Sequence, residues 1–314
     1  MVDAIHFENV TKRFGRQTVL DQVSFSVPQG MVFAVLGENG AGKTTAIRTL
    51  LGLERPTSGQ VTVMGLDSQH QGAEIRRSIG YVPEQPALYD WMTVDQVGWF
   101  TAGFYPDGFL TAYYALASQF DLPLKKKIKT LSKGMRAKVS LSLAMAHNPD
   151  LLILDEPTSG LDTIVRRSFL ESMIEVAAEG RTVFLSSHQI PEVERVADMV
   201  AIVHEGRLLV CESLQKLKSR LEQWTISFQG NAIPLPQGDL DILQQRQSGR
   251  QLKITVTDPA PEQIWQLREH PDIASIEVHI PNLEEIFITY LERNSESAAA
   301  QSKPSYQPNR QANL

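Results

Sequence analysis

Gly37-Glu38-Asn39-Gly40-Ala41-Gly42-Lys43-Thr44, with Thr45 following, joins two segments of different character. Ahead of it, Met31-Val32-Phe33-Ala34-Val35-Leu36 is a short apolar run suited to a strand buried on both faces. Behind it, Ala46-Ile47-Arg48-Thr49-Leu50-Leu51 spaces apolar residues one helical turn apart. A glycine loop between strand and helix turns main-chain N–H groups inward and forms an anion nest at the helix N-terminus. The spacing G-x-x-x-x-G-K-T adds Lys43, which reaches β- and γ-phosphates, and the Thr44 hydroxyl, placed to ligand magnesium.

A second run supplies acids. Leu151-Leu152-Ile153-Leu154 predicts a fully buried strand that ends in Asp155-Glu156-Pro157, and ligands bind at the C-terminal ends of strands in α/β sheets. Asp155 there can hold the magnesium ion, and Glu156, pointing the other way, can polarise an attacking water. The strand Thr182–Ser187 ends in His188, which faces the same crevice. Ser132 reads as the N-cap of a helix carrying Met135, Val139 and Leu143 on one face, and Asp162 as the N-cap of a helix ending near Gly180.

The other elements frame these. Residues 4–10 and 18–27 predict two β segments joined by an exposed turn carrying Phe14, an aromatic able to stack on a base. Pro83-Glu84-Gln85-Pro86 is a rigid loop. Thr93 to Gln96 is a capping box opening a helix to about Tyr105, followed by another from Phe109 to Phe120. This helical insertion interrupts an otherwise alternating β/α chain. Lys125-Lys126-Lys127-Ile128-Lys129 reads either as a solvated connecting face or as a charge contact to phosphate or to a membrane-bound partner.

From Leu221 the pattern changes to alternating strands, at 224–228, 251–256 and 274–280, with helices at 261–269 and from Asn282 to Arg293. The Ser-, Ala- and Gln-rich residues from Asn294 to Leu314 predict a disordered tail. With 314 residues the chain holds one large and one small domain. Its net charge of −6 gives no reason to expect nucleic acid. Cys211, the single cysteine, excludes an internal disulfide and suits a reducing cytosol. No stretch reaches the roughly 20 apolar residues that span a bilayer, and acids interrupt any N-terminal signal core. A soluble chain is expected, with any membrane role reached through a partner.

In order and spacing these motifs resemble the ATP-binding subunit of an ABC transporter, over roughly Ile5 to Leu217. The resemblance implies an α/β P-loop NTPase of the ABC ATPase type over 1–220, with an antiparallel β subdomain and a helical insertion at about 84–148. A small α+β accessory domain at 221–293 and the tail complete it. Gly37, Asn39, Gly40, Ala41, Gly42, Lys43, Thr44 and Thr45 would bind ATP, with Phe14 against adenine. Ser132 and Gly134 of the signature Leu131–Met135, and Asp162 of the loop Ser159–Asp162, would meet the nucleotide of a second copy. Asp155 and Thr44 would hold magnesium. Glu156 would be the catalytic carboxylate and His188 the switch histidine.

Two departures stand out. Lys133 and Met135 alter the usual Leu-Ser-Gly-Gly-Gln signature. Glu84 stands where the family has glutamine, with Gln85 next, and either could serve at the metal or the water. Both resemble the exporter branch whose permease is a separate chain. The implied partners are that transmembrane permease and a second ATP-binding subunit, with the chain peripheral on the inner face of the cell membrane. Two rivals are a soluble ABC-type ATPase that remodels a macromolecular complex and a regulatory nucleotide-binding module without turnover.

Overall fold

The computed structural model describes residues 3–230 and 240–301, with side chains through Ser295. Two compact units divide it, Met1–Leu214 and Gln215–Leu314.

The first unit opens with strands β1 (Asp3–Phe14) and β2 (Gln17–Pro28), then β3 (Val32–Leu36), helix α1 (Lys43–Leu50), β4 (Ser58–Val63), β5 (Leu66–Asp67), α2 (Gly72–Ser78) and β6 (Gly80–Val82). Helices α3 (Val94–Ala102), α4 (Phe109–Gln119) and α5 (Lys133–Met145) form the insertion. The alternation then resumes with β7 (Leu151–Asp155), α6 (Thr163–Ala178), β8 (Thr182–Ser187), α7 (Ile190–Val196), β9 (Met199–His204) and β10 (Arg207–Ser213). Two sheets result. One is antiparallel, in the order β2-β1-β4-β5; the other runs β10-β9-β3-β8-β7-β6 and is parallel except for the β9–β10 pair.

Every residue of β3, β7 and β8 is buried, as continuous apolar runs require. A ladder of stacked rings, Phe7–Phe25–Phe33–Phe184 at 4.5, 5.4 and 5.6 Å, ties the antiparallel sheet to the parallel one. Each such pair contributes about 0.5–1.5 kcal/mol beyond area burial, so the strand feeding the phosphate loop is held from both sheets.

In the insertion, the Thr93–Gln96 capping box forms in both directions, at 2.9 and 3.2 Å. Helix α3 stops at Ala102, short of the expected Tyr105. Gly103 follows, and Pro106 disfavours helical backbone at the residue before it. Gly98 lets α4 approach closely: a Cβ there would lie 2.1 Å from the buried Tyr113 ring.

The second unit holds most of α8 (Leu214–Arg220), then β11 (Leu221–Phe228), β12 (Asp241–Ser248), β13 (Gln251–Thr257), α9 (Pro261–Arg268), β14 (Ile273–His279) and α10 (Leu283–Gln301). Its sheet is antiparallel, in the order β12-β13-β11-β14. Where a tail was expected from Asn294, α10 continues to Gln301. Ala298-Ala299-Ala300, the strongest helix formers, account for the extension. Residues 302–314 of that expected tail lie outside the described residues. Among the described residues no helix is long and apolar enough to cross a membrane.

Candidate functional site

Strands β3, β8, β7 and β6 are neighbours in the parallel sheet, so the segments leaving their C-terminal ends meet at one edge. Gly37 leaves β3, His188 leaves β8, Glu156 leaves β7 and Glu84 lies two residues beyond β6.

Two glycines of the phosphate loop are required by space. A Cβ on Gly42, which has φ 105°, would sit 2.7 Å from the Val19 carbonyl oxygen, and one on Gly37 would sit 2.6 Å from that of Val203. The loop is thereby pressed against β2 and the end of β9, and α1 starts at Lys43. The Lys43 ammonium is buried; it donates to the Gly37 carbonyl at 2.7 Å and the Glu38 carbonyl at 3.2 Å, and lies 3.1 Å from Glu156 Oε1. That last contact is ionic without hydrogen-bond alignment. A buried ion pair adds little net stability, so it counts as a property of the site more than of the fold.

Asp155 is 2 % exposed and lies beneath the loop. Its Oδ1 accepts from Ser186 Oγ at 2.6 Å and from Thr44 Oγ1 at 3.4 Å. Ser186 Oγ in turn accepts from the Glu156 N–H at 3.0 Å. Glu156 is held in left-handed backbone, φ 48°, which costs a non-glycine residue about 1–3 kcal/mol. Its Oε2 lies 2.8 Å from His188 Nδ1 and accepts from the His188 N–H at 3.3 Å. A carboxylate only accepts, so Nδ1 carries the proton in this pair. Tyr81 on β6 is pushed up to about 12 by burial, with the Asp155 charge adding to it, and stays a neutral phenol.

Above these groups is a cavity of about 680 Å³, with Asp155 and Ser186 buried behind its lining. Of the expected site residues, Asn39, Gly40, Gly42, Lys43, Thr44 and Thr45 line it, together with Glu84, Glu156 and His188. Gly37 and Ala41 belong to the packed side of the loop; Ala41 is buried and its carbonyl accepts from the Gly206 N–H at 3.1 Å. Phe14 does not line the cavity: its ring is 45 % exposed and lies under the Lys12 ammonium at 4.7 Å. It pairs across β1 and β2 with Gln17, which does line the cavity.

Glu84 and Gln85 separate. Glu84 borders both the cavity and a neighbouring cleft, whereas Gln85 lines the cleft, with Lys133 and Arg136, and not the cavity. Ser132, Gly134 and Asp162 lie off the cavity lining. Ser132 Oγ accepts from the Met135 N–H at 3.2 Å, and Asp162 Oδ1 from the N–H groups of Ile164 and Val165 at 3.1 and 3.0 Å, so both cap their helices. Gly134 sits where a Cβ would be 2.9 Å from Val165. Sequence reasoning misses Ser186, and also Gln17 and Val19 on the cavity wall, where Ser159 of the loop Ser159–Asp162 stands as well. Two hydroxyls ending a fully buried strand were the available signal for Ser186.

Among the described residues no cluster of three or more His, Cys, Asp and Glu side chains could hold a metal. Thr44 and Asp155 form a smaller set of hard oxygen donors, of the kind that shares magnesium with phosphate oxygens.

The ABC transporter family profile matches residues 20–159. The bacitracin transport ATP-binding protein BcrA of Bacillus licheniformis is 35 % identical over 249 residues, covering 77 % of this chain and 81 % of that protein. The Nod factor export ATP-binding protein I of Burkholderia lata is 31 % identical over 297 residues, covering 91 % and 96 %. A solved ATP-binding subunit of an ABC transporter superposes with a TM-score of 0.64 at 31 % identity, covering 69 % of this chain and 92 % of that one. With the phosphate loop, the acid pair and the histidine assembled at one sheet edge, these likenesses show that the chain belongs to the ABC transporter family, as an ATP-binding subunit.

Proposed function

We propose that this ATPase takes ATP with magnesium in the cavity around Lys43 and drives export through a permease on a separate chain. The observation that carries the reading is the contact chain Lys43–Glu156–His188 set beside Thr44–Asp155. Lys43 and the loop N–H groups bind the β- and γ-phosphates. Thr44 and Asp155 hold the metal, with Ser186 fixing the Asp155 carboxylate. Bound magnesium neutralises charge that develops on the transferred phosphoryl group. Glu156 orients and polarises the attacking water. His188 keeps Glu156 in place through Nδ1, and its half-exposed ring leaves Nε2 for the γ-phosphate. Glu84, on the cavity wall, serves at the metal or the water in preference to Gln85.

Two copies pair head-to-tail, each offering Ser132, Gly134 and Asp162 to the other's nucleotide, and hydrolysis parts them. The permease docks beside the insertion, where Trp99, Phe100 and Phe104 are exposed and a cavity of about 330 Å³ opens between Tyr81, Leu88, Tyr105 and His147. Export follows the relative named for Nod factor export. Lys43→Ala should abolish magnesium-dependent ATP hydrolysis by the purified chain. Phe100→Ala with Phe104→Ala should release a co-purifying permease and spare that hydrolysis. Undiminished turnover in the lysine variant sinks the site assignment, and an unchanged permease yield sinks the docking surface.

A further inference from the structure

Lys125, Lys126, Lys127 and Lys129 are exposed between α4 and α5, and the nucleotide site uses none of them. Their backbone is pinned. Val94 N–H donates to the Lys126 carbonyl at 3.0 Å, Thr93 bridges to Lys127, Ile128 N–H donates to Met92 at 2.9 Å and Lys129 N–H to Asp90 at 3.2 Å. This short antiparallel ladder sets the lysines beside Trp91, which is 63 % exposed. From Trp91 a file of rings continues through Tyr89, Phe100 and Phe104, at successive centroid distances of 6.1, 5.6 and 5.5 Å.

The acids on the ladder are occupied. Asp90 pairs with Arg136 at 2.8 Å, and Asp95 accepts from the Tyr114 hydroxyl at 2.7 Å. Among the described residues no ion pair reaches any of the four lysines, while Lys12, Lys43 and several arginines have theirs. Four exposed cations within five residues repel one another, and an anionic surface offsets that repulsion. Indole and phenol rings beside lysines suit the headgroup level of a bilayer, where such rings settle.

We infer that the lysine end of this surface docks on anionic phospholipid headgroups of the bilayer, with the four lysines on the phosphates and Trp91 at headgroup depth, while Phe100 and Phe104 stay with the permease. The membrane setting comes from the proposed function, but the test uses no permease, so either idea can fail alone. Full-length chain is sedimented with phosphatidylcholine vesicles with and without phosphatidylglycerol, at low and high salt. Capture by the anionic vesicles alone, lost at high salt, is expected. Each lysine near such a surface is worth about five-fold in partitioning. Lys126→Gln with Lys127→Gln should therefore weaken capture about 25-fold, without changing basal ATP hydrolysis. Trp91→Ala should weaken it several-fold and leave its salt dependence intact, and Lys253→Gln, an exposed control in the second unit, should do nothing. Equal capture by neutral vesicles, no capture, an unaffected double variant, or tighter binding to a DNA duplex than to the vesicles would each overturn the inference.

Discussion

In the first unit the sheet edge that ends β3, β7 and β8 buries Lys43, Asp155, Glu156, Ser186 and Ser187 together. In the second, the core around β11 and β13 is Trp224, Ile226, Phe228, Leu252, Ile254 and Val256. Among the described residues only the first buries charged side chains, which is unfavourable unless something else depends on it; left-handed non-glycine backbone occurs in both, at Glu156 and at Asp258. Buried charge, not buried polarity in general, therefore marks the sheet edge to which the chemistry is assigned; the second unit buries only the neutral Gln223, Thr255 and Thr289 among its described polar residues.

The hardest test of that contrast is Glu156→Gln. It keeps the size and one acceptor of the side chain but removes the charge that polarises water. Turnover should fall about 10²–10⁴-fold with ATP binding retained, and paired chains should accumulate in ATP. Parental turnover would remove Glu156 from the reaction. The mirror-image test is Trp224→Ala in the second unit. Emptying that fully buried site should cost about 3–5 kcal/mol, read as an early unfolding transition, while ATP turnover of the folded chain stays as it was. A loss of turnover under conditions where the variant is folded would show that the second unit contributes to the chemistry.

Ser186→Ala probes the polar layer one step from the reaction. It leaves Asp155 Oδ1 without its 2.6 Å donor and the Glu156 N–H without its side-chain acceptor. Partners of this rank typically alter metal affinity or activity about 10–100-fold. The discriminating readout is magnesium: half-activation should move to higher magnesium while the nucleotide affinity measured without metal is unchanged. A drop in turnover with no shift in magnesium dependence would make Ser186 a packing residue.

The phosphate loop and the Asp155–Glu156 pair are legible in the sequence because their chemistry is local: spacing along one turn decides what each group can reach. Ser186 is not, since its partner lies 31 residues away on the next strand. Whether Glu84 or Gln85 faces the cavity is likewise a matter of side-chain direction in a loop bounded by two prolines, which no periodicity encodes. In the second unit β12 escapes the pattern because Gln244-Gln245-Arg246-Gln247 has low strand propensity. It is an edge strand, held by its ladder to β13.

The smallest expected effect concerns His147, a half-buried ring of the first unit that does not line the nucleotide cavity. Its ring stacks on Tyr105 at 4.6 Å, Nε2 lies 3.2 Å from the Ile79 carbonyl oxygen, and Nδ1 is buried without a partner. Burial holds this imidazole below the usual histidine range, although the Ile79 carbonyl favours the charged form. With Nε2–H donating to Ile79, Nδ1 is a bare lone pair, and protonating it would create a buried donor with nothing to accept. In the unfolded chain the same residue takes its proton near pH 6.5. Below that pH the unfolded state therefore binds more protons than the folded one, and stability falls as pH drops until the lower folded value is passed. One proton sets the limit, at most about 1.4 kcal/mol per pH unit. Other groups tilt the curve as well, so the difference between parent and His147→Gln is the quantity to measure. Denaturant unfolding from pH 7 downward should show the parent losing stability faster than the variant just below pH 6.5. Parallel curves would mean that the folded ring accepts its proton as readily as the unfolded one, and that this histidine belongs with the solvated residues and not with the buried polar layer.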